Sequence, residues 1–551
     1  WGGKCILEIN FDTAPVEYVP KDSFWELFYE DLISIMDISD AMTVAARDDN
    51  VLGLVAKIGS PGMGFAEIQE IRNAILEFRK SNKFTIAFAE TFGEFGPGNG
   101  SYYLASAFEE IYLQPSGDLG LTGVMYENFF LRNLFDNLEV SPEMDHRKEY
   151  KSIKNMFTET KYSDAEREMM NALVESQYDQ LVNGISSSRN IPPETVAEYI
   201  DRGPYDAQQS LDLGLIDGMF YRDEVREYAA KKAGNDVSFK LLHQYLKEIE
   251  RPNSSGQTIA VIYGIGEVMR GDNSYDILTG NQVMGSDTVT RAFRQAISNK
   301  KVKGILFRVN SPGGSYVASD AIWRETVRAK EHGIPIVVCM GDVAASGGYF
   351  VSMDANAIIA QPGTITGSIG VSGGKFVTSG FWGKIGIDWD EVHNGMNATI
   401  WSSRKEYSET EWQYIQHWLD RIYSDFTMKV ANGRNLPIGH IEEIAKGRVW
   451  TGQQALALGL VDKLGGYKES IEKLKELAGI PESDSIKLVV YPKAESTFDR
   501  LFSHQKSDFA SFNSSFIQTL NTFQTVMRSL DLDRHLYPPA VLKSPELDDF
   551  K

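Results

Sequence analysis

The chain has 551 residues, 42% hydrophobic and 24% charged, globular proportions that exclude a disordered chain and a membrane-embedded bundle. A formal net charge of −21 without any Lys/Arg block excludes a nucleic-acid surface, because such a chain repels a phosphate backbone. Cys5 and Cys339, the two cysteines, lie far apart in apolar runs, which is neither a disulfide framework nor a metal-ligand pattern.

In chain order, residues 4–10 read as a strand, and 51–58, 66–78 and 84–89 as strand, helix and strand. The charged stretch 228–256 closes on Arg251-Pro252-Asn253-Ser254-Ser255-Gly256, a helix running into a linker. Beyond it, 304–309 is strand, 316–330 has helical spacing, and 335–340 is strand again. Gly333 stands where a helix C-terminus needs a left-handed residue. Alternation of this kind implies an α/β fold with parallel sheets and right-handed crossovers. After Pro492, apolar residues recur at helical spacing over 498–530, as in a packing or assembly helix. No run of about 18 apolar residues occurs, so the sequence contains no membrane-spanning segment.

The chain also repeats itself. Gly100-Ser101-Tyr102-Tyr103-Leu104 with Gln114-Pro115 parallels Gly347-Gly348-Tyr349-Phe350-Val351 with Gln361-Pro362, 247 positions later. Arg189-Asn190-Ile191-Pro192 matches Arg434-Asn435-Leu436-Pro437, and Leu213-Gly214-Leu215-Ile216-Asp217 matches Leu458-Gly459-Leu460-Val461-Asp462, both 245 apart. Three matches in one order make the halves copies of one fold. The expected organisation is a domain over 1–235, a linker over 236–256, a second domain over 257–492 and a helical tail over 493–551.

Two glycine-rich loops follow strands in the second half. Asn310-Ser311-Pro312-Gly313-Gly314-Ser315 enters a helix, and paired glycines there let unpaired amides approach an oxyanion. Alone, Pro-Gly-Gly is more often a plain tight turn. Gly341-Asp342-Val343-Ala344-Ala345-Ser346-Gly347-Gly348-Tyr349 sets a serine among small residues, as a nucleophile needs. Such a run, alone, is more often packing. Together, loops ending adjacent parallel strands meet at the carboxyl edge of the sheet, where α/β sites form. A serine needs a base, and none of the eight histidines falls in a motif beside Ser346. His332 reads as a helix end, and His146 and His393 lie in polar stretches. A lysine serves if burial lowers its pKa, but composition does not choose which.

These motifs resemble the long, tandem-repeat signal peptide peptidase A (protease IV) family of bacteria, within the Clp protease and crotonase superfamily, over residues 4–492. The resemblance implies two tandem Clp/crotonase-like domains. It makes Ser346 the nucleophile and Gly313, Gly314 and Gly347 the oxyanion-hole residues. Lys151, in Glu149-Tyr150-Lys151-Ser152, becomes the general base, where helical spacing alone leaves Lys148 and Lys154 open. Ser368, in Thr366-Gly367-Ser368-Ile369-Gly370, becomes the residue orienting that lysine. At the 247 offset the partners of Ser346, Ser368 and Lys151 are Asn99, Leu121 and Ala398, so one complete dyad draws on both halves. The first-half loop Gly59-Ser60-Pro61-Gly62-Met63 lacks the second glycine, and Ile153 stands where the family often has alanine.

The implied function is serine endopeptidase action on cleaved signal peptides or other apolar peptides, with no metal or organic cofactor. The implied setting is a homotetramer on the periplasmic side of the inner membrane, in the bacterial cell envelope, anchored by an N-terminal segment outside this sequence. Two rivals share the fold: a crotonase-like acyl-CoA hydrolase or isomerase, and a non-catalytic peptide-binding scaffold.

Overall fold

The computed structural model describes residues 3–19, 32–60, 62–275 and 282–493, so the tail expected to be helical lies outside the described residues. Runs rich in Val, Ile and Phe form parallel strands, and both sheets are covered on each face, which is why their strands are apolar almost throughout instead of alternating. In the first half the strand order is Gly218–Met219, Glu110–Leu113, Phe84–Ala89, Val51–Ile58, Cys5–Phe11, Ser238–Leu241, with every pairing parallel.

The second half repeats this order, as Lys463–Leu464, Ala357–Ala360, Ile336–Ala345, Val302–Ser311, Gln257–Ile265, Ile486–Tyr491. It adds Ile365–Gly367, parallel to the end of Ile336–Ala345, and the antiparallel Val449–Thr451. Each half has its own buried core, one built around Leu54, Phe78 and Tyr102, the other around Phe307, Val338 and Tyr349.

The duplication reaches single hydrogen bonds. Two 26-residue helices, Asp164–Arg189 and Glu409–Arg434, are capped by Ser163 and Ser408 and end on left-handed Asn190 and Asn435. Their terminal arginines pair with Asp217 and Asp462. The same two carboxylates accept the Ile111 and Ile358 N–H groups. The buried hydroxyls of Tyr102 and Tyr349 donate to the carbonyls of Leu215 and Leu460, at 2.7 and 2.9 Å.

Predicted elements recur with extended ends: the helix expected over 66–78 is Phe65–Arg79, that over 316–330 is Tyr316–Glu331, and Gly333 has φ +72° just beyond it. Two stretches differ from expectation. Ser238–Leu241 joins the edge of the first sheet and Leu242–Glu248 packs on the first core, so much of the segment read as linker is built into the first half. The strand expected over 335–340 runs on to Ala345, because its partner changes from Ala357–Ala360 to Ile365–Gly367 and pairing continues through the small residues.

The halves join through an antiparallel ribbon. Ser141–Arg147 of the first half pairs with Val371–Val377 of the second, from Val371 opposite Arg147 to Val377 opposite Ser141. The helix Asp164–Arg189 of the first half lies beside Val449–Thr451, with Ser176 Oγ 2.9 Å from Thr451 Oγ1.

Tyr102→Phe and Tyr349→Phe each leave a buried carbonyl short of a donor and lower stability by about 1–2 kcal/mol. Because the two sites lie in separate cores, the double variant shows the sum of the single losses in denaturation experiments.

Candidate active site

Ser346 sits at the turn between the strand Ile336–Ala345 and the short helix Gly347–Phe350, with φ +52° and ψ −115°. A non-glycine residue holds such a backbone only where its surroundings enforce it. Here the Ser346 N–H donates to Gly367 O at 2.8 Å and its carbonyl accepts from Phe350 N–H at 2.8 Å. The first amide of the following helix, Gly347 N–H, lies outside the helical ladder.

The loop after Val302–Ser311 closes against this turn. Gly313 and Gly314 have φ +107° and +148°, which favours glycine. A Cβ on Gly313 would lie 2.7 Å from Gly347 N and 2.8 Å from Ser346 Cβ, and one on Gly347 would lie 3.0 Å from Gly314 N. The backbones of the two loops are therefore in contact, with the Gly314 and Gly347 amides side by side. Gly313 plays a different part from the expected one: its N–H donates to Ser311 Oγ at 3.2 Å and its carbonyl accepts from Val268 N–H at 2.8 Å. It permits the close approach and does not supply a free amide.

Lys151 arrives from the other half. It lies four residues past Arg147, at the end of the ribbon strand, and directly precedes the 3-10 turn Ser152–Lys154. Its Nζ is 2.9 Å from Ser346 Oγ, 2.9 Å from Ser368 Oγ and 3.0 Å from Ser368 O. Ser368 is three residues before Val371, the ribbon strand facing Arg147, so one strand pair delivers both groups. Lys151 is 9% exposed, and no carboxylate among the described residues pairs with it. Burial alone pushes its amine down from the ordinary 10.5 to about 7. The neutral amine fits these contacts: two N–H bonds donate to the Ser368 oxygens, and the lone pair accepts the Ser346 O–H.

The other lysines of the segment point elsewhere. Lys154 lies 3.9 Å from Asp145, and Lys148 lies over the Tyr423 ring at 5.9 Å. Ile153 is 64% exposed, so alanine or isoleucine fits there equally. His332 Nδ1 bonds Arg328 O at the end of its helix, and His393 faces Glu391.

A loop of the second half that sequence reading missed completes the mounting. Tyr150 N–H donates to Lys446 O, Gly447 N–H to Ile369 O, and Ser368 N–H to Arg448 O. A Cβ on Gly447 would sit 2.5 Å from Lys151 N, so this glycine, at φ +82°, is what lets the lysine in. Arg448 also pairs with Glu168 at 2.7 Å and lies 4.9 Å from the Tyr150 ring centre. A single Lys-Gly in a polar stretch carries no sequence signal for this.

In the first half the corresponding place is filled. Asn99 Oδ1 accepts from Thr122 and Gly123 N–H, and Asn99 Nδ2 donates to Gly123 O at 2.9 Å. Leu121 is fully buried and Ala398 lies in an exposed turn. Both cysteines are buried free thiols, in the strands Cys5–Phe11 and Ile336–Ala345.

The comparisons with known proteins agree with this architecture. The model of peptidase family S49 matches residues 77–236 and 328–481, one stretch in each half. "Serine protease SPPA, chloroplastic" of Arabidopsis thaliana is 30% identical over 83% of this chain and 68% of its own. "Protease 4" of Salmonella typhi is 34% identical over 82% and 73%, and "Protease 4" of Haemophilus influenzae 29% over 81% and 73%. Fold and likenesses together define a serine peptidase built from two tandem Clp/crotonase-like α/β units. The chain belongs to peptidase family S49, and the acyl-CoA and scaffold readings fall away.

Gly313→Ala forces a Cβ into the Ser346–Gly347 turn, and peptide hydrolysis falls by about 100-fold or more, the scale of losing an oxyanion donor, while circular dichroism stays that of the parent. Lys151→Met gives a second test. Between about pH 7 and 10.5 the unfolded chain binds more protons at Lys151 than the native one, so this residue makes stability rise with pH across that window. The variant is more heat-stable than the parent at pH 7, and its advantage vanishes as pH approaches 10.5.

Proposed function

We propose that the chain is a Ser/Lys-dyad endopeptidase whose substrates are extended apolar peptides, cleaved signal peptides among them. The observation that carries the reading is the 2.9 Å contact between Lys151 Nζ and Ser346 Oγ, made by an amine with no counter-charge among the described residues. Lys151 takes the Ser346 proton, and the resulting alkoxide attacks the scissile carbonyl. The oxyanion lies toward the Gly314 and Gly347 N–H groups. Lys151 then protonates the leaving amine, and Ser346 is left acylated. Water, deprotonated by the same amine, hydrolyses the ester and restores the hydroxyl. Ser368 holds the Lys151 amine in place through its hydroxyl and carbonyl oxygens.

The substrate class, a tetramer and an envelope location rest on the family resemblance and form part of this proposal. Among the described residues no helix is long and apolar enough to cross a membrane. An anchored enzyme would therefore use a segment outside them.

Ser346→Ala and Lys151→Ala each reduce peptide hydrolysis by about 1,000-fold or more. Ser368→Ala, which leaves the Ser368 carbonyl in place, costs about 10- to 100-fold. In the parent, kcat/KM climbs as pH rises through about 7 and then levels, because the neutral amine is the active form. A fluorophosphonate adduct mapped by mass spectrometry falls on Ser346. Parent-like rates in Ser346→Ala or Lys151→Ala, or a rate that falls as pH climbs through 7, would sink the dyad.

A further inference from the structure

Beneath the two loops of the site lies a charge cluster that the chemistry above does not use. Arg308, on the strand Val302–Ser311, is fully buried. Its Nε and one terminal nitrogen donate to the two carboxylate oxygens of Glu17, at 2.8 and 3.0 Å. The other terminal nitrogen lies 3.0 Å from Glu70 Oε2, and the guanidinium stacks 4.5 Å over the Tyr467 ring. Glu17 and Glu70 are 7% and 6% exposed and both belong to the first half. A buried ion group of this kind contributes little net stability, since desolvation of the charges offsets their attraction. Its geometry is what it can contribute.

That geometry leads to the site through Asn310. Asn310 lies two residues after Arg308, so the two side chains emerge on the same face of the strand. Asn310 Nδ2 donates to Glu17 Oε1 at 2.9 Å, and Asn310 Oδ1 accepts from Val343 N–H at 3.2 Å. One amide thus ties the loop that ends in Gly313-Gly314 to the strand end that delivers Ser346. A Cβ on Gly341 would fall 2.7 Å from Glu17 Oε1 and 2.8 Å from Asn310 Cγ, so the chain gives way to admit both groups.

We infer that Glu17 is a positioning residue for the acyl-transfer step: by fixing the Asn310 amide, it sets the spacing between the Gly314 and Gly347 N–H groups and Ser346 Oγ. The first half then supplies both the lysine and the brace that holds the second half's oxyanion loops in register. Glu17 touches neither substrate nor Lys151. The inference rests on Ser346 being the nucleophile.

The test uses the full chain with Glu17→Gln, Asn310→Ala and the double variant. Peptide hydrolysis is read as kcat and KM per fluorophosphonate-titrated Ser346, so that misfolded molecules are not counted. Each single variant loses about 10- to 100-fold in kcat, the scale of a misplacement near 1 Å, while KM stays within about twofold of the parent's. Because both act through one amide, the double variant falls no further than the worse single one, and the pH midpoint near 7 is unchanged because Lys151 is untouched. Parent-like kcat per titrated site in Glu17→Gln, or losses that multiply in the double variant, overturns the positioning role and leaves the dyad standing. Absence of the adduct from Ser346 in the parent overturns the dyad reading, and this inference with it.

Discussion

The antiparallel ribbon between Ser141–Arg147 and Val371–Val377 is the constraint on which the site depends. A strand pair fixes register to one residue, because a slip of one turns every side chain to the other face. With Arg147 opposite Val371, the chain leaving one strand and the chain entering the other run close together, and Lys151 meets Ser368 and Ser346 within 3.0 Å. Neither half can form this contact alone.

The contact has chemical value because of what it omits. Other lysines show a different arrangement: Lys429 sits between the carboxylates of Asp320 and Asp425. Lys375 is closer to Lys151, since its Nζ bonds the Ile400 carbonyl and lies 4.1 Å from the Tyr407 ring centre. Burial lowers its pKa too, but Glu411 and Glu143 act against that shift. Lys151 alone among these three faces only hydroxyls and a carbonyl. Desolvation then acts unopposed and leaves a neutral amine near neutral pH.

Duplication explains how such a site was divided. Both halves keep the features that build the fold: the serine caps, the left-handed asparagines, and the arginine–aspartate pairs that lock the long helices onto the sheets. They diverge at the positions of Ser346, Ser368 and Lys151, whose partners are Asn99, Leu121 and Ala398. Asn99 uses its amide to staple the Thr122-Gly123 turn, at the position that Ser346 occupies in the other half, which leaves the first half as a scaffold. That scaffold presents a lysine and, at Glu17 and Glu70, two carboxylates to its sibling.

Sequence alone determined a good deal: the alternation of strand and helix, the repeat at 245 to 247 residues, the glycine pair at 313–314 and the serine among small residues at 346. All of these are local, written in hydrophobic period or in the need for glycine. The choice of Lys151 over Lys148 and Lys154 came from resemblance, since lysines one turn apart look alike in a string. Only the tertiary structure decided the rest: that Gly447 and Arg448 mount the lysine, that residues 238–248 belong to the first half, and that Glu17 reaches Asn310. The physical reason is the same in each case. These are contacts between segments far apart in the chain, whose energies depend on burial and distance, and neither quantity exists until the chain has folded.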